Sequence, residues 1–402
     1  MSQLAIVHEK SSAVDHVKYI DIIVKISERC NLNCTYCYFF NLSDKSYKSH
    51  PAFVSQATVQ DLIQFLKRSK ESCPNLEYVR LDFHGGEPML QPKHQFDAMC
   101  QNLKESLQGY FKLHFCMQTN ATLVTQEWIQ LLEKHRVSVS ISLDGPEEIN
   151  DEFRVDHHGK GSYKQTVQGL KLLQNAKMNG QVGLLCVINP ARNPKVLYNH
   201  FVHDLGIKFI DFLFPDYTHD TFSFQKHTAE EYGEYICTLF DLWTAENNPA
   251  VTIRFLDSVM GVMLGQPPMF YGKGGASKSC AVLTIASNGE IGPVDTLRNA
   301  DSSLMTKLGS IKDQHVDLAQ ILCSPFFQSL ENALEKLPPD CRQCCWQNQC
   351  CGGDVLNRYS KKNHFANSSV FCSGLKMIYA KVARYLLDRG EKREAIFKSL
   401  KI

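Results

Sequence analysis

The sequence predicts an α/β fold: a partial (β/α)6 barrel of TIM-like type, followed by a C-terminal cysteine-rich domain. Two observations predict it. Strand-sized apolar runs alternate with helical segments over the first 245 residues. Cysteines concentrate at 30–37 and 341–351, with Cys372 just beyond. Repeated strand–helix units imply a parallel sheet with right-handed crossovers. Six units are too few to close an eight-stranded barrel, so the expected sheet stays open and binds ligands at the carboxyl ends of its strands.

The six runs are YIDIIVKIS (19–27), YVRLDFH (78–84), KLHFCMQ (112–118), VSVSISL (137–143), VGLLCVI (182–188) and KFIDFLF (208–214). Each is β-branched or aromatic-rich and of strand length. Helical periodicity marks 58–70, 126–135 and 163–177 between them. The expected domains are the barrel at 1–245, a bridging region at 246–277, a cysteine-rich domain at 278–375 and a helical tail at 376–402. Within the bridge, Pro267, Pro268 and the GKGG run (272–275) read as turn or hinge. GKGG lacks the strand–loop–helix setting and the following Ser/Thr of a phosphate loop.

With 44% hydrophobic and 21% charged residues the composition is that of a globular protein, and the net charge of +1 gives no argument for nucleic acid or an anionic membrane. No apolar run reaches the length of a membrane span, and charged residues interrupt the N-terminus where a signal peptide needs an unbroken run. A cytoplasmic location is expected. Disulfides rarely persist there, so clustered cysteines among the sixteen read as metal or redox ligands. Cys73, Cys100, Cys116, Cys186 and Cys237 are scattered and read as small buried hydrophobes.

The suggestive residues fall on one rim. Cys30, Cys34 and Cys37 follow the first run, GGEP (85–88) the second, TNAT (119–122) the third and LDGP (143–146) the fourth. Three thiolates can hold an iron–sulfur cluster, whereas a closed zinc site takes four ligands.

Cys30-x3-Cys34-x2-Cys37, with Tyr36 just before the last cysteine, resembles the motif of radical S-adenosylmethionine enzymes. The resemblance implies that the three thiolates hold three irons of a [4Fe–4S] cluster. The fourth iron stays open to S-adenosylmethionine, whose reductive cleavage gives a 5′-deoxyadenosyl radical. It also implies roles for other residues. Gly85, Gly86 and Glu87 would meet the amino group of the cofactor, and Ser142 and Arg154 its carboxylate. Gln118 would contact the ribose, and Tyr36 would pack beside the adenine. His84 reads as a packed neighbour of GGEP.

Cys341-x2-Cys344-x5-Cys350 with distant Cys372 resembles the SPASM domain of peptide-modifying members, which carries auxiliary [4Fe–4S] clusters. Four cysteines also suit structural zinc. Cys345 and Cys351 stand beside the expected ligands and are not counted among them. Two-cluster members have further cysteines where this chain has Val294 and Asp354; only Cys280 remains of that set. One auxiliary cluster is therefore expected, with Asp354 a conceivable but unneeded ligand.

NGEIGPVDTLR (288–298) and CGGDVLNRYSKKNHFANSSVFC (351–372) resemble the Xye and Grr types of cyclophane-forming peptide maturases. That resemblance implies a ribosomal precursor peptide, leader plus core, as substrate. An aromatic ring of the precursor is joined to the β-carbon of a residue two positions later, after hydrogen abstraction from that carbon. It also implies an external one-electron reductant such as flavodoxin or ferredoxin. Asp295, after the lost cysteine, resembles the catalytic aspartate of sulfatase-maturing enzymes and is the expected proton acceptor; a turn-capping aspartate is the other reading. No separate leader-binding segment is evident, so leader binding is expected to use the main domains or another protein. The alternatives are a formylglycine-forming or thioether-forming enzyme, or a non-catalytic iron–sulfur carrier or regulatory protein. A plain carrier has no use for GGEP, SLDG or Arg154.

Overall fold

The computed structural model describes residues 14, 16–42, 44–176, 178, 180–266, 280–301, 304, 307–394, 396 and 400. Pro267, Pro268 and GKGG lie outside the described residues. The chain forms two compact units. The first comprises 1–143, 147–182 and 278–328; the second comprises 144–146, 183–277 and 329–402.

The strands are β1 (Tyr19–Ser27), β2 (Tyr78–Gly85), β3 (Lys112–Thr119), β4 (Ser138–Ser142), β5 (Val182–Val187), β6 (Phe209–Leu213), β7 (Thr252–Ile253), β8 (Cys280–Ile285), β9 (Glu290–Gly292) and β10 (Gly309–Ser310). In the first unit they run β10-β9-β8-β1-β2-β3-β4. β8, β1, β2, β3 and β4 are mutually parallel, and β9 and β10 close one edge antiparallel. In the second unit β5, β6 and β7 are parallel. This is the α/β class that the alternating runs predict.

Helices cover the strands because their apolar stripes need burial. In the first unit these are α1 (Gln56–Ser72), α2 (Lys93–Leu107), α3 (Gln126–His135) and α4 (Tyr163–Asn175). On α1 the stripe is Val59, Leu62, Ile63 and Leu66, all buried. The Ser55 hydroxyl caps its start by accepting from the Thr58 N–H at 3.1 Å. The core lies between such stripes and Ile20, Ile22, Val24, Leu81, Phe83 and Met117 of the sheet. In the second unit α5 (Ala229–Glu246), α6 (Arg254–Met263) and α7 (Cys372–Asp388) pack together. A Cβ on Gly374 would sit 2.1 Å from the Ala229 carbonyl oxygen, so glycine sets how closely α5 and α7 approach.

The expected domain boundaries need correction. Residues 278–328 do not fold with the cysteine-rich segment; they return to the first unit. The cause is β8, which pairs with β1 from Tyr19↔Cys280 to Val24↔Ile285. Backbone groups on that edge of β1 from Tyr19 to Val24 thereby gain a partner strand, a strong requirement for a buried strand.

Candidate active site

The functional residues of the first unit gather where β1–β4 end. The Cys30–Cys37 loop leaves β1 and is pinned to the segment after residue 152. The Asn33 N–H donates to the Val155 carbonyl at 2.8 Å, and the Thr35 N–H to the Phe153 carbonyl at 2.9 Å. His157 Nε2 lies 2.9 Å from the Cys30 carbonyl oxygen. All three thiols are half-buried. Burial, the Glu87 carboxylate and the Cys34 and Cys37 thiols push the Cys30 thiol up to about 12, against a Leu32 N–H that favours the thiolate. The TNAT turn braces this loop: Asn120 Nδ2 donates to Asn31 Oδ1 at 3.0 Å, and Asn31 Nδ2 to Thr122 Oγ1 at 2.7 Å.

GGEP follows β2 and lies hard against the end of β1. Gly85 has φ +137°, and a Cβ there would meet the Ser27 carbonyl oxygen at 1.9 Å; one on Gly86 would meet the Arg29 carbonyl oxygen at 2.3 Å. Both glycines are sterically required. Glu87 is fully buried and acts as a hub. Its Oε1 accepts from the Met89 N–H at 2.9 Å and the Thr119 hydroxyl at 2.7 Å, and its Oε2 from the Asn120 N–H at 2.8 Å. Burial pushes its carboxyl up, while these donors and the nearby Arg154 favour the charged form.

The other expected cofactor contacts form two pairs. Gln118 Nε2 donates to the Ser142 hydroxyl at 2.7 Å, linking the ends of β3 and β4. Arg154 Nη1 donates to the Tyr36 hydroxyl at 2.7 Å, and the Tyr36 ring stands edge-on to Phe153 with centroids 6.2 Å apart.

Asp295 opens the 3-10 turn Asp295–Asn299 and is 2% exposed. Lys25 Nζ donates to its Oδ2, and the Tyr38 hydroxyl donates to the same oxygen at 2.7 Å. Lys25 is 1% exposed, and its Nζ lies 3.1 Å from His84 Nδ1 and 4.8 Å from the centre of the Phe39 ring. An ammonium only donates, so His84 Nδ1 accepts and its proton sits on Nε2. Burial would push the Asp295 carboxyl up, but the Lys25 cation, His84 and the two hydrogen bonds hold it well below the usual carboxylate range. Burial and Lys25 push His84 down to about 4.

Sequence reasoning overlooks Lys25, Tyr38 and Asn120. Tyr38 adjoins Cys37 and Asn120 lies in the TNAT turn, so both had a positional signal. Lys25 has none, because a lysine within a strand ordinarily faces water.

In the second unit Cys341 is buried, and Cys344, Cys350 and Cys372 are half-buried. Burial, together with Cys372 and Cys344, pushes the Cys341 thiol up to about 11, although Arg358 opposes the rise. Burial, together with Cys372 and Cys341, also pushes Cys350 up. Cys351, Gly352 and Gly353 have successive positive φ values of 49°, 89° and 78°, a left-handed turn that two glycines make accessible. Asp354 Oδ1 accepts from the Leu356 N–H at 2.8 Å, and burial pushes this carboxyl up. Among the described residues no three Cys, His, Asp or Glu side chains stand in a preformed metal-holding arrangement. Cys34 and Cys37 are nevertheless near enough to raise the Cys30 thiol, and Cys372 to raise the Cys341 and Cys350 thiols.

These donor sets fit the groups that their chemistry implies. Burial raises the Cys30, Cys341, Cys350 and Cys372 thiols, which favours a proton that a strongly bound metal displaces. Beside the first set, the glycine cradle is one that any Cβ would fill.

A parallel α/β sheet with a three-cysteine loop after its first strand and GGE after its second is the arrangement that the resemblance to radical S-adenosylmethionine enzymes implies. Residues 24–197 match the Radical SAM superfamily model, whose members bind a [4Fe–4S] cluster and S-adenosylmethionine. The chain is 26% identical over 380 residues to a cysteine-type anaerobic sulfatase-maturating enzyme of Clostridium perfringens, covering 89% of this chain and 94% of that one. It is 26% identical over 394 residues to a serine-type anaerobic sulfatase-maturating enzyme of Bacteroides thetaiotaomicron, covering 92% and 91%. The solved structure of native anSMEcpe with bound AdoMet and Cp18Cys peptide has the same fold, with a TM-score of 0.76 at 22% identity over 92% of this chain and 98% of that one. No helix among the described residues is long and apolar enough to cross a membrane.

Proposed function

We propose that this enzyme modifies a ribosomally made precursor peptide by joining an aromatic ring carbon to the β-carbon of a nearby residue. Cys30, Cys34 and Cys37 would hold the [4Fe–4S] cluster. Tyr36, Gly85, Gly86, Glu87, Gln118, Ser142 and Arg154 would form the binding face for S-adenosylmethionine. When bound, these groups supply a 5′-deoxyadenosyl radical able to take a hydrogen atom from an unactivated carbon. Cys341, Cys344, Cys350 and Cys372 would hold one auxiliary [4Fe–4S] cluster, an electron carrier. Flavodoxin or ferredoxin would serve as the external reductant.

Forming the carbon–carbon bond removes one hydrogen atom from the peptide Cβ and one proton plus one electron from the ring. Asp295 is the proton acceptor. The observation that carries this reading is the 2.7 Å bond from Tyr38, the neighbour of Cys37, to Asp295 Oδ2. It ties an ionised, buried carboxylate to the end of the cysteine loop.

A second reading, formylglycine formation, is favoured by the 26% identity to sulfatase-maturating enzymes over nine-tenths of the chain. One experiment separates the two. Anaerobically reconstituted enzyme, dithionite and S-adenosylmethionine are incubated with two probes. One carries an aromatic residue two positions before a residue with a β-methylene; the other is a cysteine-type sulfatase peptide. Loss of two hydrogens from the thiol-free probe, with a cross-link in its fragment spectrum, supports the proposal. Turnover of the sulfatase peptide alone replaces it with the second reading. Asp295→Ala should abolish product while deoxyadenosine still forms. Iron should fall from about eight to about four per chain in Cys30→Ala/Cys34→Ala/Cys37→Ala, as two four-iron sites require.

A further inference from the structure

Arg358, in the 3-10 turn Leu356–Arg358 of the second unit, is 0% exposed. Its Nη2 donates to the Ala333 carbonyl at 2.7 Å and the Phe365 carbonyl at 2.8 Å, and its Nε to the Asn367 carbonyl at 3.1 Å. These acceptors are neutral. Nη1 is buried and has no acceptor. Among the described residues no carboxylate forms a direct ion pair with this guanidinium, although the buried Asp354 carboxyl interacts with it electrostatically. Arginine cannot shed its charge by deprotonation, and a buried ion is costly to desolvate unless charge beside it offsets the loss of water.

The free edge of the guanidinium lies at the turn that follows the cysteines. A Cβ added to Gly352 would come within 3.4 Å of Nη1, so Nη1 lies beside the left-handed turn that follows Cys350. The Cys341 and Cys350 thiols and the buried Asp354 carboxyl are close enough to interact electrostatically with it. Four thiolates on a [4Fe–4S] core give a formal net charge of about 2− when oxidised and 3− when reduced, and net charge and hydrogen bonds to sulfur set the potential of such a cluster. A fixed cation beside the cluster stabilises the reduced form more than the oxidised form.

We propose that Arg358 is the built-in counter-cation of the Cys341–Cys344–Cys350–Cys372 site, and that it raises the reduction potential of the cluster held there. This rests on the reading that those four thiolates hold an iron–sulfur cluster. The consequence is directional. A one-electron acceptor of raised potential is fitted to take the electron that the peptide-derived ring radical loses as its proton leaves.

The test uses the full chain carrying Cys30→Ala/Cys34→Ala/Cys37→Ala, so that only the auxiliary site contributes iron. Metal analysis comes first: zinc in place of about four irons would overturn the cluster reading itself, before any titration. Arg358→Gln and Arg358→Lys are then compared with this parent by redox titration followed by electron paramagnetic resonance. The expected result is a downward shift in every variant that loads iron. For Gln, the reduced-to-oxidised ratio at fixed potential falls at least tenfold, about 59 mV for a one-electron couple. For Lys, whose shorter reach withdraws the charge from the Gly352 turn, the shift is smaller but in the same direction. An iron-loaded variant with the parent's midpoint overturns the proposal. If Gln fails to load iron, the Lys variant decides in the same way.

Discussion

Replacing Lys25 with Met should destabilise the first unit severely. The substitution removes a 1% exposed ammonium and leaves the Asp295 carboxylate, 4% exposed in its side chain, without its counter-ion. Breaking a buried ion pair from one side costs about 3–5 kcal/mol, because the surviving charge stays desolvated. The contact of the ammonium with the Phe39 ring, at 4.8 Å, adds at most about 2 kcal/mol. Tyr38 still donates to Asp295, so the carboxylate keeps one hydrogen bond. The assay is urea denaturation at pH 7 followed by far-UV circular dichroism, comparing midpoints at unchanged slope. Lys25→Met/Asp295→Leu should recover most of the loss, since two apolar groups replace two charges. With Lys25 gone, burial becomes the dominant influence and Asp295 rises above the usual carboxylate range. The cost of the single variant should therefore shrink as pH falls and the carboxyl neutralises. A single variant within about 1 kcal/mol of wild type, or a double variant no better than the single, would refute this account.

Gly85→Ala should lose more than about 3 kcal/mol of stability, because its Cβ would overlap the Ser27 carbonyl and φ is +137°. Gly109→Ala, at φ +82° with open space around it, should cost only the left-handed strain of about 1–2 kcal/mol, so equal losses would count against the clash. His84 should contribute a pH dependence. Its proton is bound less tightly in the folded chain, at about 4, than in the unfolded chain, at about 6.5. Its contribution is intact above about 6.5 and is lost as pH falls toward about 4. The groups facing His84 are Lys25, Asp295 and Asp82, so the comparison is the stability difference between wild type and His84→Gln at pH 7 and pH 5. A difference that does not change with pH would exclude this contribution.

Local pattern made most of the strands legible. The runs at 19–27 and 112–118 match β1 and β3 to within one residue, and the helix expected at 126–135 has those limits. Alternating burial sets such segments, and alternation is written in consecutive residues. β8 was not legible as a neighbour of β1, because CAVLTI is a short apolar run whose partner lies some 260 residues earlier. The cysteine spacings stood out because ligands on one loop are close in sequence. The Lys25–Asp295 pair did not, being 270 residues apart and unusual for a lysine. Asp295 entered the reading by resemblance; its ionised, doubly hydrogen-bonded state emerges only from packing. Arg358 looks like any arginine until its three carbonyl partners and unused Nη1 are seen.

The placement of β8 bears on how this protein is made. β1 and β2 can pair once about 85 residues have left the ribosome, but the opposite edge of β1 has no partner until β8 appears near residue 280. At about 5–20 residues per second, the intervening synthesis takes roughly 10–40 s. Throughout that interval an apolar strand destined for the middle of a sheet presents unpaired amides, the kind of edge that recruits other chains. A nascent chain stopped after residue 245 would keep that edge open indefinitely, together with Lys25 and no Asp295 to neutralise it. Completion of the first unit is thus a late event of translation.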